Sequence, residues 1–270
     1  MTFLLLERNK CVNKSFDFAN KVWEIIYPVG MYYAAITIGS FVAQLFIGSS
    51  LENYMLCKII GSLVALPVVY ADYKADLKRI GLYGKKWPFT MHMFINILMV
   101  SVISICISIS LNNLISMSPL VKVSVEYQNA SNAFYGSTLG LELLGSALIT
   151  PVLEELLHRG VVYGRLRRMM NMWPAVIVSA LVFAALHFNI VQFTYAFLLG
   201  IVFAIFVEKT GHIYPAILGH VLANGIAVIR TETGFINTTV DGSVLAWTIS
   251  AGLLIVGIVV LVIYCVKKNK

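Results

Sequence analysis

Charge is scarce in this sequence. Asp, Glu, Lys and Arg make up only 12% of its 270 residues, while 59% are hydrophobic. Soluble domains carry about 25% charged residues and roughly 45–50% apolar ones. One soluble core cannot absorb that excess of apolar side chains, but a bilayer can. Cysteine is also sparse: Cys11, Cys57, Cys106 and Cys265 stand far apart, a spacing that gives neither a disulfide framework nor a metal-binding cluster. Low-complexity linkers and internal repeats are missing, so residues 1–270 are expected to form a single membrane domain. No cleavable leader is evident, because the apolar residues 1–6 are too few and the charged stretch 7–21 comes after them. The first span is therefore expected to insert the chain. The net charge of +7 does not point to nucleic acid, since the basic residues flank the apolar runs, as topology determinants beside lipid headgroups do.

The sequence is rich instead in long apolar runs. A span needs about 20 apolar residues to cross roughly 30 Å of hydrocarbon. Eight candidates occur, at 23–48, 54–71, 89–111, 138–163, 173–190, 193–207, 213–230 and 244–265. The predicted fold is all-α, a polytopic membrane bundle of about eight transmembrane helices. Arg8, Lys10, Lys14 and Lys21 precede the first run. Lys74, Lys78, Arg79, Lys85 and Lys86 come after the second, and Arg165, Arg167 and Arg168 after the fourth. Lys209 comes after the sixth, and Lys267, Lys268 and Lys270 after the eighth. The alternate loops hold only Lys122 and Arg230, so the positive-inside rule puts both termini in the cytoplasm of a multi-pass protein. Tyr32, Tyr33, Tyr70, Trp87, Trp173 and Trp247, at run ends, are expected to be interfacial anchors. Lys58, within the second run, either snorkels to a headgroup or faces the bundle interior.

Ionisable groups inside spans cost about 2.5–3.5 kcal/mol each on insertion scales, so each requires a reason. The second half concentrates them in three motifs: Glu154-Glu155-x-x-x-Arg159, where the residue before the arginine is His158, then Phe183-x-x-x-His187, and His220-x-x-x-Asn224. Spacing of i,i+4 puts the outer pair of each motif on one helical face. Glu154 lies 17 residues before Asn171 and His187 lies 16 after it. If residues 165–173 turn a helical hairpin, the two sit at matched depth, each roughly 20 Å from its end. The expected constellation is Glu154, His187, His220 and Asn224, with Glu155, Arg159 and Phe183 in support. A glutamate and a histidine can activate water for attack on a carbonyl, and a second histidine with an amide can stabilise the oxyanion. Alternatively Glu154, His187 and His220 can hold a zinc ion that acidifies the water. No Ser-His-Asp arrangement and no G-x-S-x-G motif is present.

In this order on consecutive spans, the motifs resemble those of the CAAX-protease and bacteriocin-processing (CPBP, or Abi) family of intramembrane proteases. The resemblance covers residues 137–229, and Gly160 and Lys209-Thr210-Gly211 add to it. It implies an eight-helix bundle and a peptidase with Glu154 as general base beside His187. His220 and Asn224 would be transition-state stabilisers or further ligands. It also implies either a divalent metal or a metal-free glutamate mechanism. The implied partners are membrane lipids and a membrane-associated peptide or protein tail, in a bacterial cell membrane by the Ile/Asn/Lys-rich composition. His158 departs from the apolar or aromatic residue usual at its position.

Blander readings compete. Glu155 and Arg159 at i,i+4 read first as a structural ion pair, because losing one would strand the other. His220 and Asn224 can serve as a polar clamp between helices. At the level of the whole protein, the rivals are a proton- or cation-coupled transporter, disfavoured by the lack of a repeat, and a non-catalytic bacteriocin-immunity protein with an inherited site.

Overall fold

The computed structural model describes residues 2–84, 90–235 and 240–267, and within them the side chains of all but residues 2–17 and His92. Arg8, Lys10, Cys11, Lys14, Lys85, Lys86, Trp87, Lys268 and Lys270 fall outside the described side chains. Each of the eight apolar runs contains helix among its described residues. We number the helices α1 (Thr2–Ile47), α2 (Leu51–Arg79), α3 (Met91–Ser116), α4 (Val125–Phe134), α5 (Leu139–Met169), α6 (Met172–Ala185), α7 (Ile190–Thr210), α8 (Tyr214–Thr233) and α9 (Val244–Val266). Among the described residues, five helices are long and apolar enough to cross a membrane by themselves: α1 from Phe18, α2, α3 from Met93, α7 and α9. The pair α4–α5, bent by 112°, makes a sixth if counted as one span. The 14-residue α6 is shorter. The chain is thus a polytopic helical membrane protein.

Local sequence sets the helix ends. Thr90, Asn189 and Ser243 cap α3, α7 and α9 by accepting from the backbone N–H groups of Met93, Gln192 and Ala246 at 3.2, 2.8 and 3.1 Å. Pro215 opens α8, where its missing N–H costs nothing.

Helix α5 is not regular. Two π-helical stretches, Leu143–Ile149 and Leu156–Tyr163, flank one short α-helical segment, Thr150–Glu155. Pro151 comes just after the first stretch; it lacks an N–H and crowds the preceding turn, which favours a widened register. Nothing in the sequence marks the second stretch. Such widenings gather at functional sites, and here they bracket Glu154 and Glu155.

Two large apolar clusters pack the bundle, beside a small one of Phe183, Ala184 and Ala196. One joins α1, α2, α5, α6 and α7 around Tyr32, Leu157, Val176 and Ala204. The other joins α3, α7, α8 and α9 around Ile103, Phe203, Phe206 and Tyr264. The Met169 end of α5 is held by an ionic latch. Arg165 donates to Asp76 at 2.7 Å, Asp72 at 3.0 Å and the Glu24 carbonyl at 2.8 Å, and Arg168 donates to Asp76 at 3.0 Å. Arg167 and Tyr163 both donate to Glu208 of α7.

Candidate active site

Glu154 and Glu155 are adjacent on α5, so 3.6 residues per turn aims their carboxylates in directions about 100° apart. Glu155 turns into the protein. Its Oε1 accepts from Arg159 Nη1 at 3.1 Å, and both side chains are fully buried. Arg159 Nη2 donates to the Gly200 carbonyl of α7 at 3.0 Å, and the guanidinium lies 4.5 Å from the centre of the Phe183 ring. Gly200 makes this possible, because a Cβ there would lie 3.1 Å from Arg159 Nη2 and 3.2 Å from Ala180 Cβ. The expected ion pair is therefore present and fixed on three sides.

Glu155 has a second partner. His220 Nδ1 lies 2.9 Å from the same Oε1. A carboxylate oxygen that takes a guanidinium hydrogen acts as an acceptor, so Nδ1 is the donor in this contact and Nε2 lies on the far side of the ring. That Nε2 lies 3.8 Å from Oε2 of Glu154. The separation exceeds a hydrogen bond, but a water lying to one side can bridge it. His220 reaches this position because α8 packs closely at Gly219, where a Cβ would come within 2.6 Å of Ser104 Oγ. Its ring stacks on Phe203 with centroids 5.2 Å apart.

His187 differs from the expectation of a residue on a continuous helical face. Helix α6 ends at Ala185, and His187 sits in the turn before α7. Its Nδ1 lies 3.1 Å from the Phe183 carbonyl, one of the carbonyls a helix end leaves unpaired. A carbonyl only accepts, so Nδ1 is again the donor. The turn is tied down by the Tyr33 hydroxyl, which donates to the Leu186 carbonyl at 2.9 Å. The next residue, Phe188, has φ of 55°, an uncommon backbone state for a bulky side chain; strain of this kind clusters at functional sites.

Phe183 is the hub of the group. Its ring centroid lies 5.0 Å from that of His158, 5.1 Å from His187 and 5.7 Å from His220, so one phenyl ring spaces three imidazoles. His158 is buried, with Nδ1 unpartnered among the described residues. Asn224, one turn past His220, donates one amide hydrogen to the Ser146 carbonyl of α5 at 2.9 Å. Its second amide hydrogen is available for another acceptor.

Glu154, His158, Phe183, His187, His220 and Asn224 all line one cavity of about 440 Å³, whereas Glu155 and Arg159 stand behind its wall. The volume suits a small ligand or a few residues of an extended peptide. Tyr32, Tyr33 and Lys58 line it too. Tyr32 and Tyr33, expected as interfacial anchors, thus face inward, whereas Tyr70, Trp173 and Trp247 are exposed as anchors would be. Of the two readings left open for Lys58, the interior one matches its place in this wall. Among the described residues no group of three or more His, Cys, Asp or Glu side chains is arranged to hold a metal ion. As placed, then, Glu154, His187 and His220 do not make a ligand set.

Residues 136–226 match the family described as type II CAAX prenyl endopeptidase Rce1-like. Over 89 residues the chain is 27% identical to a protein of Bacillus subtilis (strain 168) named "Putative membrane peptidase YdiL". That stretch covers 33% of this chain and 36% of the relative, so the chain matches little more than a third of the relative's length.

Proposed function

We propose, from the match of residues 136–226 to the type II CAAX prenyl endopeptidase Rce1-like family, that this membrane protein is an intramembrane endopeptidase. It hydrolyses a peptide bond in a membrane-associated peptide or protein tail that enters the cavity.

The observation that carries the proposal is the double engagement of His220. A buried carboxylate held by Arg159 fixes its Nδ1, and its Nε2 is thereby aimed at the cavity-facing carboxylate of Glu154. In the proposed reaction Glu154 takes a proton from water as the oxygen attacks the scissile carbonyl. His187 orients that water through Nε2. The negative charge developing on the carbonyl oxygen is met by the spare Asn224 amide hydrogen. His220, held by Glu155 through Nδ1, lies beside Glu154 and helps to place the water that bridges its Nε2 and the Glu154 carboxylate. Glu154 then gives its proton to the departing amine as the C–N bond breaks. The leaving group is a new N-terminus and the acyl side a new carboxylate.

The test compares purified wild type with Glu154→Gln in detergent on labelled membrane peptides, with and without chelator. Loss of the general base should lower the turnover number by about 10²- to 10⁴-fold while the melting temperature holds. Chelator should leave the wild-type rate unchanged. Equal cleavage by both proteins rejects the protease reading, and a chelator-sensitive rate restored by zinc rejects metal-free water activation.

A further inference from the structure

Lys58 takes no part in the proposed hydrolysis. Other basic residues within the bundle are matched: Arg159 by Glu155 and the Gly200 carbonyl, Arg165 by Asp72 and Asp76, Arg167 by Glu208, and Arg230 by Asn113. Lys58 lies within α2, a helix apolar enough to span the membrane, and no ion pair holds it among the described residues. Its ammonium rests 3.9 Å from the centre of the Phe134 ring on α4. An aromatic face stabilises a cation without occupying the hydrogen bonds it can donate. Lys58 and Phe134 line the same cavity as Glu154. The cavity therefore presents a carboxylate with three imidazoles and, from another helix, a cation whose donors remain available.

We infer that Lys58 forms the anion subsite of this cavity and binds a carboxylate of the peptide whose backbone lies across Glu154. That carboxylate is either the peptide's own C-terminus or an acidic side chain near the scissile bond. A charge-assisted hydrogen bond in a low-dielectric site is a strong anchor, and an ionised residue inside a span is the kind of group that marks a ligand path. The inference rests on the protease reading for the fate of the bound peptide, but its test does not depend on turnover.

The probes are labelled apolar hexapeptides offered to the full chain carrying Glu154→Gln in detergent, with binding read by fluorescence anisotropy against empty micelles. One pair of twins differs only in a free or amidated C-terminus. A second pair, both amidated, differs in one internal Glu or Gln. The charged member of one pair should bind about tenfold more tightly than its twin, the factor expected for one charge-assisted contact. The pair that discriminates identifies the source of the carboxylate. Lys58→Met should abolish the difference and Lys58→Arg should retain it; Lys58→Gln is the second neutral variant should Lys58→Met fail to fold. Twins that bind alike in both pairs, including no binding at all, overturn the inference. So does a preference that survives loss of the Lys58 charge. Discrimination through Lys58 in the Glu154→Gln chain, with no cleavage of any twin by the wild type, removes the protease reading alone, and wild-type cleavage of both twins of each pair without binding discrimination removes the Lys58 subsite alone.

Discussion

Helix α5 carries two charged clusters, one around Glu154 and Glu155 and one toward Met169, and they are built on opposite plans. At its Met169 end, Asp72 and Asp76 face Arg165 and Arg168 with hydrogen bonds of 2.7–3.0 Å, and Glu208 takes both Arg167 and Tyr163. Carboxylates there are saturated by donors, and the cluster does nothing visible beyond holding α5 to α1, α2 and α7. Around Glu154 and Glu155 the plan stops halfway. Glu155 accepts from both Arg159 and His220 through Oε1, while its buried Oε2 has no partner among the described residues, and Glu154 faces a cavity with an imidazole nitrogen 3.8 Å away. A saturated ion cluster commits its charges to structure, whereas an incomplete one beside a cavity keeps a charge available for chemistry. On the proposed reading, one glutamate of the adjacent pair serves each purpose.

The largest effect that can break this comparison is expected at Arg159. Arg159→Met leaves Glu155 buried without its guanidinium, and removing one partner of a buried pair costs about 3–5 kcal/mol. The variant should show a clearly lowered melting temperature in detergent, whereas Glu154→Gln should melt near wild type. Equal melting of the two variants would mean that the adjacent glutamates are not divided between structure and chemistry as the geometry indicates.

The helical segments were legible in the sequence because hydropathy and length are all a span requires. The membership of Glu154, His187, His220 and Asn224 in one cavity wall was legible because ionisable and amide groups stand out against apolar surroundings. Rotation was not legible. Periodicity says which residues share a face, but not which way that face turns, so Tyr32 and Tyr33 read as anchors when they face inward, and Lys58 reads equally well outward or inward. Helix ends were hidden for a related reason: an i,i+4 spacing is the same whether or not the helix continues. Phe183-x-x-x-His187 therefore does not reveal that His187 leaves the helix and caps its final carbonyls. Arg165 reads as a loop charge because its carboxylates come from α2, some 90 residues earlier in the chain.

A smaller effect tests the saturated cluster. Asp76 accepts from both Arg165 and Arg168, and Asp76→Asn weakens both contacts at once. Hydrogen bonds to charged groups contribute about 1.5–3 kcal/mol each, but Asp72 and the Glu24 carbonyl still hold Arg165, so the expected loss lies toward the lower end. Melting temperature should fall while kcat and KM of the folded fraction stay at wild-type values. A changed kcat with unchanged stability would show that the latch communicates with the cavity.

The smallest effect is expected where the site is held by a single neutral contact. The turn that bears His187 is tied to α1 by the Tyr33 hydroxyl on the Leu186 carbonyl, next to the left-handed Phe188. Tyr33→Phe removes one neutral hydrogen bond, worth about 0.5–1.5 kcal/mol, and keeps the ring that packs edge-on against Phe188. Freed from that tie, the turn can relax and carry His187 away from the geometry in which its Nε2 orients water. A structural role alone would lower stability and leave turnover of the folded protein untouched. The positioning role predicts instead a severalfold fall in kcat with KM and melting temperature nearly constant, read from kinetics at saturating peptide. Unchanged kcat would assign Tyr33 to packing and leave the placement of His187 to its own bond with the Phe183 carbonyl.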